Sequence, residues 1–282
     1  MAGDPPLTIS ARGATDVGRR RSHNEDAYLV DEDLGLFVVA DGMGGHAGGG
    51  TASRLAVETI RKVVRGARDH NPGAFRAGAA VEDSAVPDVL RQAVEEACAV
   101  IFEAAQADPD LSGMGTTVTA ALVGGRSSFI AHVGDSRCYL VRGGRIYQVS
   151  EDHSLVNEQL KAGAISADEA RNSRFRNIIT RSVGFEHDVD VDLMGLELEP
   201  QDAVILCCDG LSNLVEDQEI LRVVEESPLA EAPDALVALA NDRGGDDNIT
   251  VIVIRASGAV VGPAEDTPGE TAGGPGPESA SD

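Results

Sequence analysis

Residues 34–42 read LGLFVVADG, a β-rich apolar run that ends at once in Asp41 and a turn glycine. The pattern recurs: AVILCCDG at 203–210 runs into Asp209, and FIAHVGD at 129–135 runs into Asp135. Asp followed by Gly is an ordinary turn signal, and taken singly each of these is a turn more often than anything else. Turns do not, however, require the same acid after several apolar strands. If the strand ends converge, several carboxylates meet in one cleft, and such a cluster is tolerable only when cations neutralise it. Glu25 with Asp26 in NEDA, and Asp246 with Asp247 in GGDDNIT, are further acids that could join it. Oxygen-only ligation selects hard ions, which favours Mg²⁺ or Mn²⁺ over zinc.

Outward from these runs the chain continues in short strands with turn signals between them. They are TTVTAALVG at 116–124, SFIAHV at 128–133, RCYLVRGGRIYQV at 137–149, DAVILCC at 202–208 and NITVIVIR at 248–255. The RGGR turn marks an antiparallel hairpin. Two amphipathic helical stretches, 51–67 and 86–107, lie together ahead of the later strands and flank a polar, Gly-rich loop at 69–83. Further helical signals occupy 154–171, 216–226 and 233–241. Strands in series with helices grouped apart imply an α+β layered domain rather than βαβ alternation. The segment Asp152–Gly184 is long and polar for a connection between strands, as a functional lid is.

The chain has 282 residues, 42% of them apolar, enough for one large domain with a well-filled core. Residues 1–257 are expected to form that domain. The 258–282 stretch, rich in Gly, Pro, Ser and acids, is expected to be a disordered tail. With 23 Lys and Arg against 47 Asp and Glu, the formal charge of −24 argues against nucleic acid or an anionic membrane as partner. No apolar run approaches the roughly 20 residues that span a bilayer, and the first residues lack a signal-peptide core, so a cytoplasmic protein is expected. Cys98, Cys138, Cys207 and Cys208 lack paired metal spacing and read as reduced core residues. His132 reads as a packed strand residue, and His46 and His153 are not assigned to metal.

Six strings occur in one order across residues 19–250: RRRSHNEDA, ADGMGGHAGG, GMGTTVTA, VGDSR, CDGL and DDNIT. In this the chain resembles the metal-dependent type 2C (PPM) family of serine/threonine protein phosphatases, in its compact bacterial form. The resemblance implies two stacked antiparallel sheets flanked by helices, a four-layer αββα sandwich with metals at one edge. It implies that Asp41 bridges two Mn²⁺ or Mg²⁺ ions, with the Gly42 carbonyl on one and Asp209 and Asp247 on the other. Asp26 is implied to act through ordered water, and Asp135 to hold a third, weaker ion shared with Asp209. Arg21 is implied to grip the substrate phosphate with a planar, permanently charged fork. Glu25 and Asn248 are expected directly behind the ligands. The implied reaction is attack by a metal-activated water on phosphoserine and phosphothreonine esters. The implied partners are phosphoproteins and a cognate kinase, and the chain is expected to be a monomer.

Three departures from the family pattern stand out. Animal members carry a histidine, proposed as the leaving-group acid, where this chain has Met43. Relatives commonly have an acid at the place of Gly50, and many have a His-Pro pair at the places of Ser173 and Arg174. Rival expectations are a catalytically idle module of the same fold and a phosphatase of stress-response regulators, which generally lacks the lid. More remote is nucleotide binding, suggested by the GxGxxA spacing of Gly42, Gly44 and Ala47.

Overall fold

The computed structural model describes residues 7–44, 48–73, 75, 85–171 and 173–258. His46, Ala47, most of the loop at 69–83 and nearly all of the 258–282 tail lie outside them.

Among the described residues, ten strands form two antiparallel sheets. The first has the order β1 (Thr8–Asp16), β12 (Ile249–Ser257), β11 (Ala203–Cys207), β8 (Arg137–Arg142), β9 (Arg145–Gln148). The second has the order β10 (Asp192–Glu197), β7 (Ser127–Val133), β6 (Val118–Gly124), β3 (Leu36–Ala40), β2 (Ala27–Asp31). A two-residue ribbon, β4 (Gly42–Met43) with β5 (Gly115–Thr116), sits at the edge.

Three apolar clusters correspond to the interfaces of a four-layer sandwich. Phe37, Val39, Ile130, Leu206 and Ile252 pack between the sheets. On the second sheet, α1 (Gly48–His70) and α2 (Val86–Ala107) bury Ile60, Leu90 and Ile101 against Leu36 and Val38. On the first, α5 (Asp217–Glu226) and α6 (Ala232–Asp242) bury Ile220 and Leu236 against Ile205 and Val251. Because successive strand residues face opposite sides, a strand covered on both faces must be apolar throughout. That is why β3 and β11 are buried along their whole length.

The expected α+β sandwich is therefore observed. The RGGR hairpin forms as expected, with Arg142 opposite Arg145 and Gly143 and Gly144 at positive φ. The helical signal at 154–171, by contrast, is two short helices, α3 (Leu155–Lys161) and α4 (Ala167–Arg171), divided by a turn in which Gly163 takes φ 67°. Helix α1 starts earlier than the pattern indicated, at Gly48, because its first turn abuts β4. A Cβ on Gly42 would sit 2.2 Å from the Gly49 carbonyl oxygen, so only glycine allows this approach.

Phe37 is fully buried between the two sheets. Its truncation to Ala should cost about 3–5 kcal/mol of unfolding free energy in urea titration, through lost transfer energy and an unfilled cavity. A loss below about 1 kcal/mol would mean that the sheets do not close on this ring.

Candidate active site

Antiparallel register gathers the acids. Ala27 pairs with Ala40, so Asp26, just before β2, stands beside Asp41, just after β3. Cys207 pairs with Val251, so Asp209, just after β11, lies at the edge where Asp247 leads into β12. Asp135 follows β7 at the turn into β8. At this edge of the sandwich a cleft of about 900 Å³ is lined by Arg21, Glu25, Asp41, Asp135, Asp209 and Asp247. Asp26 lies beside Asp41: one oxygen each of Asp26 and Asp41 and the Cys208 sulfur fall within 4.8 Å of one another.

The backbone beneath these acids is fixed. The Asp41 N–H donates to Thr117 Oγ1 (3.0 Å), and its carbonyl accepts from the Thr117 N–H and the Thr116 hydroxyl, both 2.9 Å. The Thr117 hydroxyl in turn meets Ser136 Oγ at 2.8 Å, linking Asp41 to the loop of Asp135. Asn248 spans the other side: its Nδ2 donates to the Val17 and His23 carbonyls, and its Oδ1 accepts from the Glu25 N–H. The Glu25 carbonyl accepts from Ser53 Oγ of α1 at 2.6 Å. Thr250 donates to Asp26 Oδ2 at 2.6 Å, and Thr15, 2.7 Å away, completes the chain to Asn24.

Burial and mutual repulsion govern the charge state. Burial, eased by the Thr250 hydroxyl, pushes the Asp26 carboxyl up to about 7. Burial with the neighbouring Asp209 raises Asp135 to about 8. Burial with Asp247 beside it raises Asp209 to about 6. Asp41, ringed by Asp26, Asp209, Asp135 and Asp247, is raised well above the ordinary range, again with burial the largest cause. Buried Asp26 Oδ1 and Glu25 Oε1 have no hydrogen-bond partner among the described residues. Unpartnered buried oxygens amid crowded carboxylates are the donor set that a hard divalent cation fits, and Asp26, Asp41, Asp135, Asp209 and Asp247 could supply it.

The structure brings all the expected site residues to this one edge. Arg21 reaches the rim, where its guanidinium pairs with Asp247 Oδ2 at 2.7 Å. Gly42 is buried in β4, and Met43 lines the cleft with a thioether that has no proton to give. Neither His132 nor His153 lines it. His132 is buried between Thr119 and the Glu151 carbonyl, and His153 accepts from the Gly134 N–H. All four cysteines are free and buried. Cys208 was not legible as a neighbour of the site. Its thiol donates to the Asn248 carbonyl and accepts from the Thr250 N–H, clamping β11 to β12 directly behind Asp26.

A carboxylate-lined cleft with a guanidinium at its rim, at one edge of a two-sheet sandwich, has the make-up of a cation-dependent hydrolase of phosphate esters. The model of the family described as protein phosphatase 2C matches residues 15–248. The serine/threonine phosphatase stp of Listeria monocytogenes is 37% identical over 250 residues, covering 87% of this chain and 95% of that one. Protein phosphatase PhpP of Streptococcus pneumoniae is 36% identical over 250 residues, covering 85% of this chain and 94% of its own. Among solved structures, the Mycobacterium tuberculosis serine/threonine phosphatase PstP/Ppp superimposes with a TM-score of 0.80 at 33% identity, covering 89% of this chain and all of that one. The catalytic domain of PstP in complex with two manganese ions matches with a TM-score of 0.77 at 34% identity, over 89% of this chain and all of that one.

The chain belongs to the protein phosphatase 2C family. It is a metal-dependent serine/threonine phosphatase. Nucleotide binding is not supported: Gly42 and Gly44 lead out of an antiparallel sheet, and Ala47 lies outside the described residues.

The raised carboxyls fix a pH dependence for the metal-free chain. Their unfolded values lie near 3.8, so above that the folded state holds protons that the unfolded state has released. Stability therefore falls as pH rises through the folded values of about 7 and about 8. Burial depresses His132 from 6.5 to about 4 and works the opposite way, but only below 6.5. The melting temperature of the chelator-treated protein should thus drop between about pH 7 and about pH 8.5. A flat or rising profile over that window would contradict the assignment of raised values.

Proposed function

We propose that Asp41, the Gly42 carbonyl, Asp209 and Asp247 hold the two ions, with Asp26 acting through ordered water and Asp135 holding a third, weaker ion. The observation that carries this is the convergence of Asp41, Asp135, Asp209 and Asp247 on one cleft, with Asp26 beside Asp41 and its Oδ1 buried without a hydrogen-bond partner among the described residues. Two divalent ions bound there supply a water acidic enough to attack near neutral pH and Lewis-acid stabilisation of charge on the phosphoryl oxygens.

The chain's own residues do the rest. Arg21 exchanges its bond to Asp247 for the phosphate oxygens, orienting the ester at the rim. Asp26 Oδ1 offers an acceptor for the proton of a nearby water, and the Thr250 hydroxyl keeps that carboxylate turned toward the cleft. The Thr116 and Thr117 bonds hold the Asp41 backbone still, so that a charged group is placed without reorganisation during reaction.

The substrates in this account are phosphoserine and phosphothreonine proteins modified by a partner kinase, in a signalling role inside the cell. No described helix is long and apolar enough to cross a membrane. The chain acts as a monomer, with residues 1–257 as the phosphatase domain, the 258–282 tail dispensable, and Asp152–Gly184 as a lid that governs substrate choice.

Asp41→Asn and Asp209→Asn test the ligand set. Each should lower Mn²⁺-dependent hydrolysis of para-nitrophenyl phosphate by orders of magnitude. Each should also melt no lower than wild type in chelator, because a buried carboxyl that is costly there whether charged or protonated is replaced by a neutral amide, and gain less from added Mn²⁺. A correctly folded variant with near-normal Mn²⁺-dependent turnover would sink the assignment. Hydrolysis supported by Mg²⁺ alone would identify that ion as sufficient.

A further inference from the structure

The wall of the cleft that faces the carboxylates comes from residues 177–190. Its most prominent member is Phe185, 65% exposed, more than any other large hydrophobic among the described residues. Leu160, Phe175 and Ile178 in the preceding lid are also exposed, so apolar surface is concentrated beside the cleft. Single exposed apolar residues are common on proteins and need no function. Phe185 differs in that it lines the site and its neighbours are all held.

Val183 exchanges both backbone bonds with Thr116 of β5, at 2.8 and 3.0 Å. The Gly184 N–H donates to Cys98 Sγ, and the Cys98 thiol donates to the Glu186 carbonyl, both at 3.2 Å. His187 lies edge-on to Phe102 of α2 with ring centroids 5.7 Å apart. Gly184 takes φ 93° with no room for a Cβ against Ile101, so only glycine lets the backbone pack this closely on α2. Phe185 is thus a bare ring on a fixed backbone, with little entropy to lose when a partner covers it. An aromatic presented in this way is the side chain that most often anchors an interface.

The same wall carries Glu186, Asp188 and Asp190, all exposed. Among the described residues, no lysine or arginine pairs with them: Arg181, the cation of this wall, is bound to Asp192 at 2.6 Å. Asp188 touches the His187 ring at 3.1 Å, and the Asp190 carbonyl accepts from Arg181 at 3.2 Å. A segment lying across this wall still meets three carboxylates without a Lys or Arg partner among the described residues, and Lys or Arg complements them.

We propose that Phe185 and the Glu186–Asp190 rim dock the phosphorylated segment of the substrate, selecting segments with an apolar side chain and a Lys or Arg beside the phosphorylated residue. This rests on the assignment of the active site above. The occupant is the substrate chain itself, because the phosphorylated residue must enter this cleft and its flanking residues must cross one of its walls.

The test uses the full chain with Mn²⁺ and three substrates: a phosphothreonine peptide with apolar and basic flanks, one with acidic flanks, and para-nitrophenyl phosphate. Phe185→Ala should raise KM for the first peptide about tenfold with kcat changed less than about twofold. Its loss on that peptide should exceed its loss on para-nitrophenyl phosphate at least about fivefold. The combined Glu186→Gln, Asp188→Asn, Asp190→Asn variant should keep its melting temperature and lose about tenfold of its preference for the basic over the acidic peptide. Equal losses on peptide and small substrate, or an unchanged peptide KM in Phe185→Ala, would overturn the docking role alone. Failure of the wild-type chain to hydrolyse para-nitrophenyl phosphate with Mn²⁺ would overturn the active-site assignment, and the docking surface with it.

Discussion

Like charges cannot be crowded into a low-dielectric edge without either protons or cations to neutralise them, and the structure of this chain is arranged around that constraint. Both sheets end in carboxylates on the same side: Asp26, Asp41 and Asp135 from the second sheet, Asp209 and Asp247 from the first. In the absence of metal the carboxyls of Asp26, Asp41, Asp135 and Asp209 are pushed upward by burial and by one another. The stability lost to that crowding returns when cations bind, which makes metal binding and folding parts of one equilibrium.

Around the acids, neutral hydrogen bonds do the positioning. Thr117, Asn248 and Thr250 each join segments far apart in sequence, and none adds a charge of its own. Cys208 has the same role from inside the first sheet. Neutral donors can orient a carboxylate without competing for the cation, whereas a Lys or Arg in their place would occupy the charge that a metal is to meet. The guanidinium that touches the cluster's Asp247, Arg21, stands half-exposed at the rim, where it can turn toward an incoming anion.

Much of this was legible in the sequence, for physical reasons. Buried central strands such as β3 and β11 must be apolar throughout, so their ends, and the aspartates there, are sharply marked. The strands that the pattern did not mark, β1, β2 and β10, are all edge strands with mixed exposure, where no continuous or alternating signal is required. β9 is also an edge strand, and it was visible only because the RGGR turn announced it. The polar scaffold was partly hidden because a threonine or cysteine that braces a carboxylate has no distinctive spacing. Cys208 read as one more core residue, and Thr117 as one of several threonines in a strand. Phe185 was hidden too, since an exposed aromatic in a polar segment is informative only once its backbone supports are visible.

The central claim is that the converging carboxylates are partly protonated without metal and give up those protons when a divalent ion binds. Calorimetric titration of the chelator-treated chain with Mn²⁺ at pH 7, in two buffers of different ionisation enthalpy, counts the protons released. With Asp26 near 7 and Asp135 near 8, binding is predicted to release at least about one proton per chain. Mn²⁺ binding without net proton release at that pH would contradict the account.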